Sequence, residues 1–161
     1  MDKSSLRSAG LLILCIVIPL LAGMIGSLFT MTAITTWYAG LQKPFFTPPD
    51  WVFFPVWTAL YILMGVSLYL VLQNGLEKRA VRHAVAVFSA QLVVNALWSF
   101  AFFGMQSPLN GLITILVLLA LVITTIVLFW RISKPAAVLL VPYVFWVCVA
   151  TALNTMILVL N

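Results

Sequence analysis

In this 161-residue chain the side chains best suited to chemistry are aromatic rings and carboxamides, not acids, bases or thiols. Gln91, Asn95, Trp98 and Phe102 follow one another at spacings of four, three and four, which a helix would carry on one face. Trp57 and Tyr61 stand four apart; Trp146, Ala150 and Asn154 repeat that interval, with Tyr143 a turn earlier. Rings that offer contact area, beside a few amides that fix orientation, suit a flat, apolar small molecule. The same residues suit a plainer purpose: amides can hydrogen-bond between helices and rings can fill the space between them. Ala86, Ala90, Leu97 and Ala101 lie about 120° or more from the polar face and offer a small-residue surface for another helix, including one from a second subunit.

Other chemistries find little here. Cys15 and Cys148 sit inside apolar runs with no CxxC or Cys/His pattern, so both are read as packing residues, and no metal site is expected. The single histidine, His83, neighbours Arg82 at the end of an apolar run and is read as solvated or headgroup-facing. Apart from Arg82 at the very start of the third, no Asp, Glu, Lys or Arg falls within an apolar run, although proton relays and voltage sensors depend on such groups. The net charge of +5 is spread over ends and loops without a basic stripe, which argues against nucleic acid as a partner.

The elements that position these residues must lie in lipid. Hydrophobic residues make up 65% of the chain and charged ones 7%, against about 45–50% and about 25% in soluble domains. Five apolar runs, at about 9–29, 52–72, 81–103, 111–130 and 136–160, match the roughly 20 residues that a helix needs to cross a bilayer. The first is too long for the core of a cleaved signal peptide, about 7–15 residues, and is kept as a span. Asn74-Gly75, Ser107-Pro108 and Lys134-Pro135 punctuate the runs, and Pro142 predicts a kink in the fifth. The expected fold is an all-α integral membrane bundle of five transmembrane helices forming one domain over 1–161. Lys3, Arg7, Lys78, Arg79, Arg82, Arg131 and Lys134 fall on the amino-terminal side and only Lys43 on the other, so the amino terminus is expected inside and the carboxyl terminus outside. That distribution fits a bacterial or archaeal inner membrane.

One connection is unlike the rest. Residues 31–50 form a long loop in which Trp37, Tyr38, Phe45 and Phe46, with Trp51 just beyond it, surround Pro44, Pro48 and Pro49. It reads either as an interfacial aromatic belt or as a rigid lid over the outer mouth of the bundle. At 1.5 Å per residue, Trp57 lies roughly 9 Å below the outer face, Asn95 roughly 10 Å and Trp146 roughly 13 Å. The second, third and fifth spans thus bring rings and an amide to one level beneath the loop.

At these residues the chain resembles the translocator protein family, TspO/MBR, also called the peripheral-type benzodiazepine receptor. The resemblance is carried by Trp37-Tyr38 through Leu41-Gln42-Lys43-Pro44, Pro48-Pro49, Trp51, Pro55-Val56-Trp57-Thr58, Leu60-Tyr61 and Met64-Gly65. It continues through Gln91-Leu92, Asn95, Trp98, Phe102-Phe103-Gly104, Pro142-Tyr143, Trp146, Ala150-Thr151 and Leu153-Asn154, in order over four of the five spans. It implies a homodimeric five-helix bundle that needs no cofactor. Its ligands would be porphyrins, protoporphyrin or haem, and synthetic aromatic ligands of the benzodiazepine site. By this resemblance the cavity would include Tyr38, Trp57, Asn95, Trp98, Trp146 and Ala150, with Pro48, Pro49 and Trp51 shaping the lid. Tyr61, Gln91, Phe102, Tyr143 and Asn154 join the candidate ligand site as neighbours on the same helical faces. Some bacterial members are described as degrading protoporphyrin in light and oxygen, and the two tryptophans linked to that activity match Trp57 and Trp146. Leu153-Asn154-Thr155-Met156 runs to Asn161 without a later Tyr, Lys or Arg, which counts against sterol recognition through a motif of that kind. Three functions follow for comparison: a tetrapyrrole receptor or sensor that also moves its ligand, a porphyrin-degrading enzyme, and a structural membrane subunit.

Overall fold

Runs of apolar residues can satisfy their backbone polar groups in lipid only by closing them internally, and helices do so. The computed structural model describes residues 3–161, and no strand occurs among them. Five stretches are long and apolar enough to cross a membrane. The first is α1, Lys3–Ile34, longer at both ends than its apolar centre suggests. Next come a single 3-10 turn, Tyr38–Gly40, and α2, Asp50–Leu72. Helix α3, Arg79–Ser99, runs on into a π turn, Phe100–Gly104, and α4 covers Pro108–Trp130. The last stretch is divided into α5, Lys134–Leu139, and α6, Val141–Leu160. The expected kink at Pro142 is thus a break at Leu140, and Pro142 occupies the first turn of α6, where its missing N–H costs no helical bond.

The punctuation works as its chemistry requires. Gly75 takes φ +93° to close the turn after α2. Ser107 caps α4, its Oγ accepting from the Asn110 N–H at 3.2 Å, and Pro108 opens the helix. Around the bundle, α1 packs on α2 and α3, α4 packs on α3, α5 and α6, and α5 closes the ring against α2. Ser67 of α2 fastens that closure by donating to the Ala136 carbonyl at 2.7 Å.

Two packing expectations change. Cys15 is buried, but Cys148 lies exposed on the outside of α6. Ala86, Ala90, Val93 and Leu97 do form an exposed strip on α3, whereas Ala101 is buried. The physical reason is the π turn that contains Ala101, which packs against both α1 and α4 and turns Ala101 inward with Phe102 and Phe103.

Candidate functional site

Glycine spacing builds the site. A Cβ placed on Gly65 of α2 would stand 2.4 Å from the Ile16 Cα, and one on Gly23 of α1 would stand 2.2 Å from the Tyr61 ring, so α1 and α2 touch closely at both levels. Pro19 supports the lower contact, since it has no N–H to offer the Cys15 carbonyl and that stretch of α1 faces Gly65. Nearer the loop, α1 leans on α3 instead: Gly26 meets Ser99, and the Phe29 and Phe100 rings lie edge to face at 5.1 Å. The divergence opens a cavity of about 450 Å³ between α1, α2 and α3. Small-molecule sites span about 300–1,000 Å³.

The wall from α1 consists of Leu20, Gly23, Met24, Ser27, Thr30, Met31 and Ile34. Helix α2 supplies Asp50, Phe53, Phe54, Trp57, Thr58 and Tyr61; α3 supplies Asn95, Trp98 and Ser99; Phe103 and Tyr38 complete it. Of the candidates named from the sequence, Tyr38, Trp57, Tyr61, Asn95 and Trp98 therefore meet around one space. Phe102, Ala150 and Asn154 line a separate recess of about 30 Å³ beyond Trp98 and Phe103. Gln91, Tyr143 and Trp146 line neither. Pro48, Pro49 and Trp51 also lie outside both, and Trp51 is 74% exposed.

The expected pocket lay between the second, third and fifth spans; the smaller recess lies there, whereas the larger cavity has α1 as its third wall. Rings occupy the space toward α6. Trp57 stacks on Tyr61 at 5.5 Å and 25° and lies 6.3 Å from both Trp98 and Tyr143. Trp98 stacks on Phe102 at 5.9 Å, and Trp146 meets the far side of Phe53 edge to face at 5.8 Å. The Trp146 Nε1 is buried without a hydrogen-bond partner.

The amides act mainly as braces. Tyr61 Oη donates to Asn95 Oδ1 at 2.6 Å, Asn95 Nδ2 donates to Tyr143 Oη at 3.1 Å, and Tyr143 Oη donates to Gln91 Oε1 at 2.8 Å. Trp98 Nε1 donates to Asn154 Oδ1 at 3.3 Å, and Asn154 Nδ2 donates to the Pro108 carbonyl at 2.7 Å. These bonds tie α2, α3, α4 and α6 through the middle of the bundle, as buried polar groups require. At the roof, the Lys43 ammonium stands 4.2 Å from the centroid of the Tyr38 ring. Burial, and then the Asp50 carboxylate, push the Tyr38 phenol from 10.0 up to about 12.

Sequence reasoning missed the whole α1 wall, together with Phe53, Phe54 and Phe103. A signal existed for α1: Gly23, Ser27, Thr30 and Ile34 fall at intervals of four, three and four on one face. For Phe103 there was none, because the π turn rotates it inward beside Phe102, and helical periodicity does not anticipate that turn.

Fold and cavity define an integral membrane protein of the helical-bundle class with an aromatic-walled cavity inside. Residues 15–160 match the TspO/MBR family. Over 150 residues the chain is 49% identical to the tryptophan-rich protein TspO of Chlorobaculum tepidum, covering 93% of this chain and 95% of that one. It is 41% identical over 118 residues to a tryptophan-rich sensory protein of Cereibacter sphaeroides, covering 73% and 72% of the two. With the translocator protein of Homo sapiens the identity is 38% over 138 residues, covering 84% and 81%. The chain belongs to the TspO/MBR family.

Proposed function

We propose that this protein is a membrane receptor or sensor that binds a porphyrin, protoporphyrin or haem, in the cavity between α1, α2 and α3. Synthetic flat ligands of the benzodiazepine-site type would occupy the same space. The observation that carries this reading is the wall itself: Tyr38, Phe53, Phe54, Trp57, Tyr61, Trp98 and Phe103 bring seven rings to one cavity that is mostly apolar. The names of a sensory relative and of a translocator relative agree with a protein that holds a small molecule in the membrane and passes a signal or the molecule on. Homodimers formed through the exposed Ala86 and Ala90 strip belong to the same reading.

Titrating protoporphyrin into detergent-solubilised protein while following tryptophan quenching provides the test. A well-placed aromatic contact is worth about 0.5–1.5 kcal/mol, so Trp57→Phe, which shrinks the ring, should weaken binding by about fivefold. Trp146→Phe should change it less than twofold, since Trp146 lies outside the cavity. Equal affinity of Trp57→Phe and wild type would remove the assignment, and absence of a ligand-induced thermal shift would leave a structural subunit.

A second reading, light- and oxygen-dependent breakdown of protoporphyrin, is favoured by one arrangement. Trp57 stands in the cavity wall stacked on Tyr61, which sets a pair of oxidisable rings against a porphyrin held in the cavity. Porphyrin absorbance that fades under illumination no faster than in empty micelles would dismiss it.

A further inference from the structure

The cavity has two boundaries through which a molecule could pass, and they are built differently. The loop above it is tied down. Asn161 Oδ1 accepts from the Gln42 N–H at 3.0 Å, and Asn161 Nδ2 donates to the Gln42 carbonyl at 3.0 Å and to the Ile157 carbonyl at 2.9 Å. One carboxamide at the end of α6 thus pairs with both backbone groups of a loop residue, as a neighbouring strand would. Next to it, Lys43 sits on the Tyr38 ring, Pro44 is buried, and Trp37 packs on Phe102 at 5.4 Å.

Between α1 and α2 the Ser8 and Tyr69 hydroxyls pair at the end away from the loop, but at the level of the cavity the described residues of these two helices share no hydrogen bond. Above the Gly23–Tyr61 contact the two helices part, and lining residues on both are open to the outside: Met24 is 63% exposed, Met31 70% and Phe54 81%. Met24 and Phe54 lie within the apolar runs, so the outside they face is hydrocarbon, and Met31 stands at the outer end of α1. The two methionines on this rim are flexible and polarizable, which lets the rim yield without breaking a hydrogen bond. A flat apolar solute is far more concentrated in a bilayer than in water.

We propose that the cavity fills sideways from the bilayer, through the gap between α1 and α2, while the loop stays tied to Asn161. This rests on the cavity being the ligand site, but the route can be tested without the ligand. Ser99 lies in the inner wall of the cavity, on α3. A Ser99→Cys, Cys148→Ser protein in phosphatidylcholine vesicles offers the thiol to pyrenyl maleimide dissolved in the bilayer, or to a charged, water-soluble methanethiosulfonate. Each rate is normalised to free cysteine. The bilayer reagent should label at least tenfold faster than the charged one. A plug on the rim, Met24→Trp, or Thr58→Trp on the opposite wall should either fail to fold, should slow labelling by the bilayer reagent fivefold or more. Asn161→Ala, which frees the loop, should leave that rate unchanged. Faster labelling by the charged reagent, or an unchanged rate with the rim plugged together with acceleration by Asn161→Ala, would overturn the proposal in favour of entry beneath the loop. Failure of porphyrin to bind would leave these rates unaffected and would count only against the ligand assignment.

Discussion

Asn95 is one amide with two neighbourhoods: a cavity on one side and two tyrosine hydroxyls on the other. Its replacement should therefore be costly for reasons that have nothing to do with a ligand. In Asn95→Leu, the Tyr61 and Tyr143 hydroxyls each lose a buried partner. An unsatisfied buried group costs about 1–3 kcal/mol, so thermal denaturation in detergent should show a clear fall in Tm without ligand. Trp57→Phe should lower that midpoint less, because it removes ring packing but leaves no hydrogen-bonding group without its partner. At this scale the sequence was informative about faces and silent about partners. The spacing of Gln91, Asn95 and Trp98 put them together, and all three are buried. It could not say that Gln91 is consumed by Tyr143, or that Trp146 would turn toward Phe53 and away from the cavity. Both depend on how α6 is rotated against α2, which no local pattern records.

For the helices, legibility followed hydropathy. Apolar runs located all five spans, since a bilayer imposes length and composition directly, and the differences are a few residues at the ends. The division of the last span at Leu140 was foreshadowed by Pro142, two residues on, but the π turn at Phe100–Gly104 was not legible. That turn lies where α1 and α4 both pack on the segment. Neither was the part played by α1, whose contribution is made through glycines, and glycine announces itself only by what it lets approach. Gly65 makes the sharpest case. With Ala there, the methyl group would meet backbone at Ile16 Cα, 2.4 Å away, and the helices would have to separate. Overpacking of this kind typically costs about 1–3 kcal/mol. Gly65→Ala should lower Tm accordingly, whereas Gly10→Ala, where nothing lies within 4 Å, should not.

Across the whole molecule, charge and shape divide the same way. Arg7, Lys78, Arg79, Arg82, Arg131 and Lys134 belong to the end opposite the loop, and Lys43 belongs to the loop end. We infer that the basic end faces the cytoplasm and the loop faces out. In intact bacterial cells a membrane-impermeant maleimide should label Phe45→Cys, whose parent side chain is fully exposed on the loop, and should spare Leu76→Cys on the opposite end. The reverse pattern would invert the molecule. The π turn carries a consequence of another kind, in the currency of genes. Such a turn holds one residue more than the α-helix around it needs, so loss of a single codon between Phe100 and Gly104 would restore an ordinary helix. Everything before the deletion would keep its orientation, and the aromatic wall next to Tyr38 would lose the ring now supplied by Phe103. Lineages that differ by one residue at this point would therefore share a fold and differ in the shape of the space inside it.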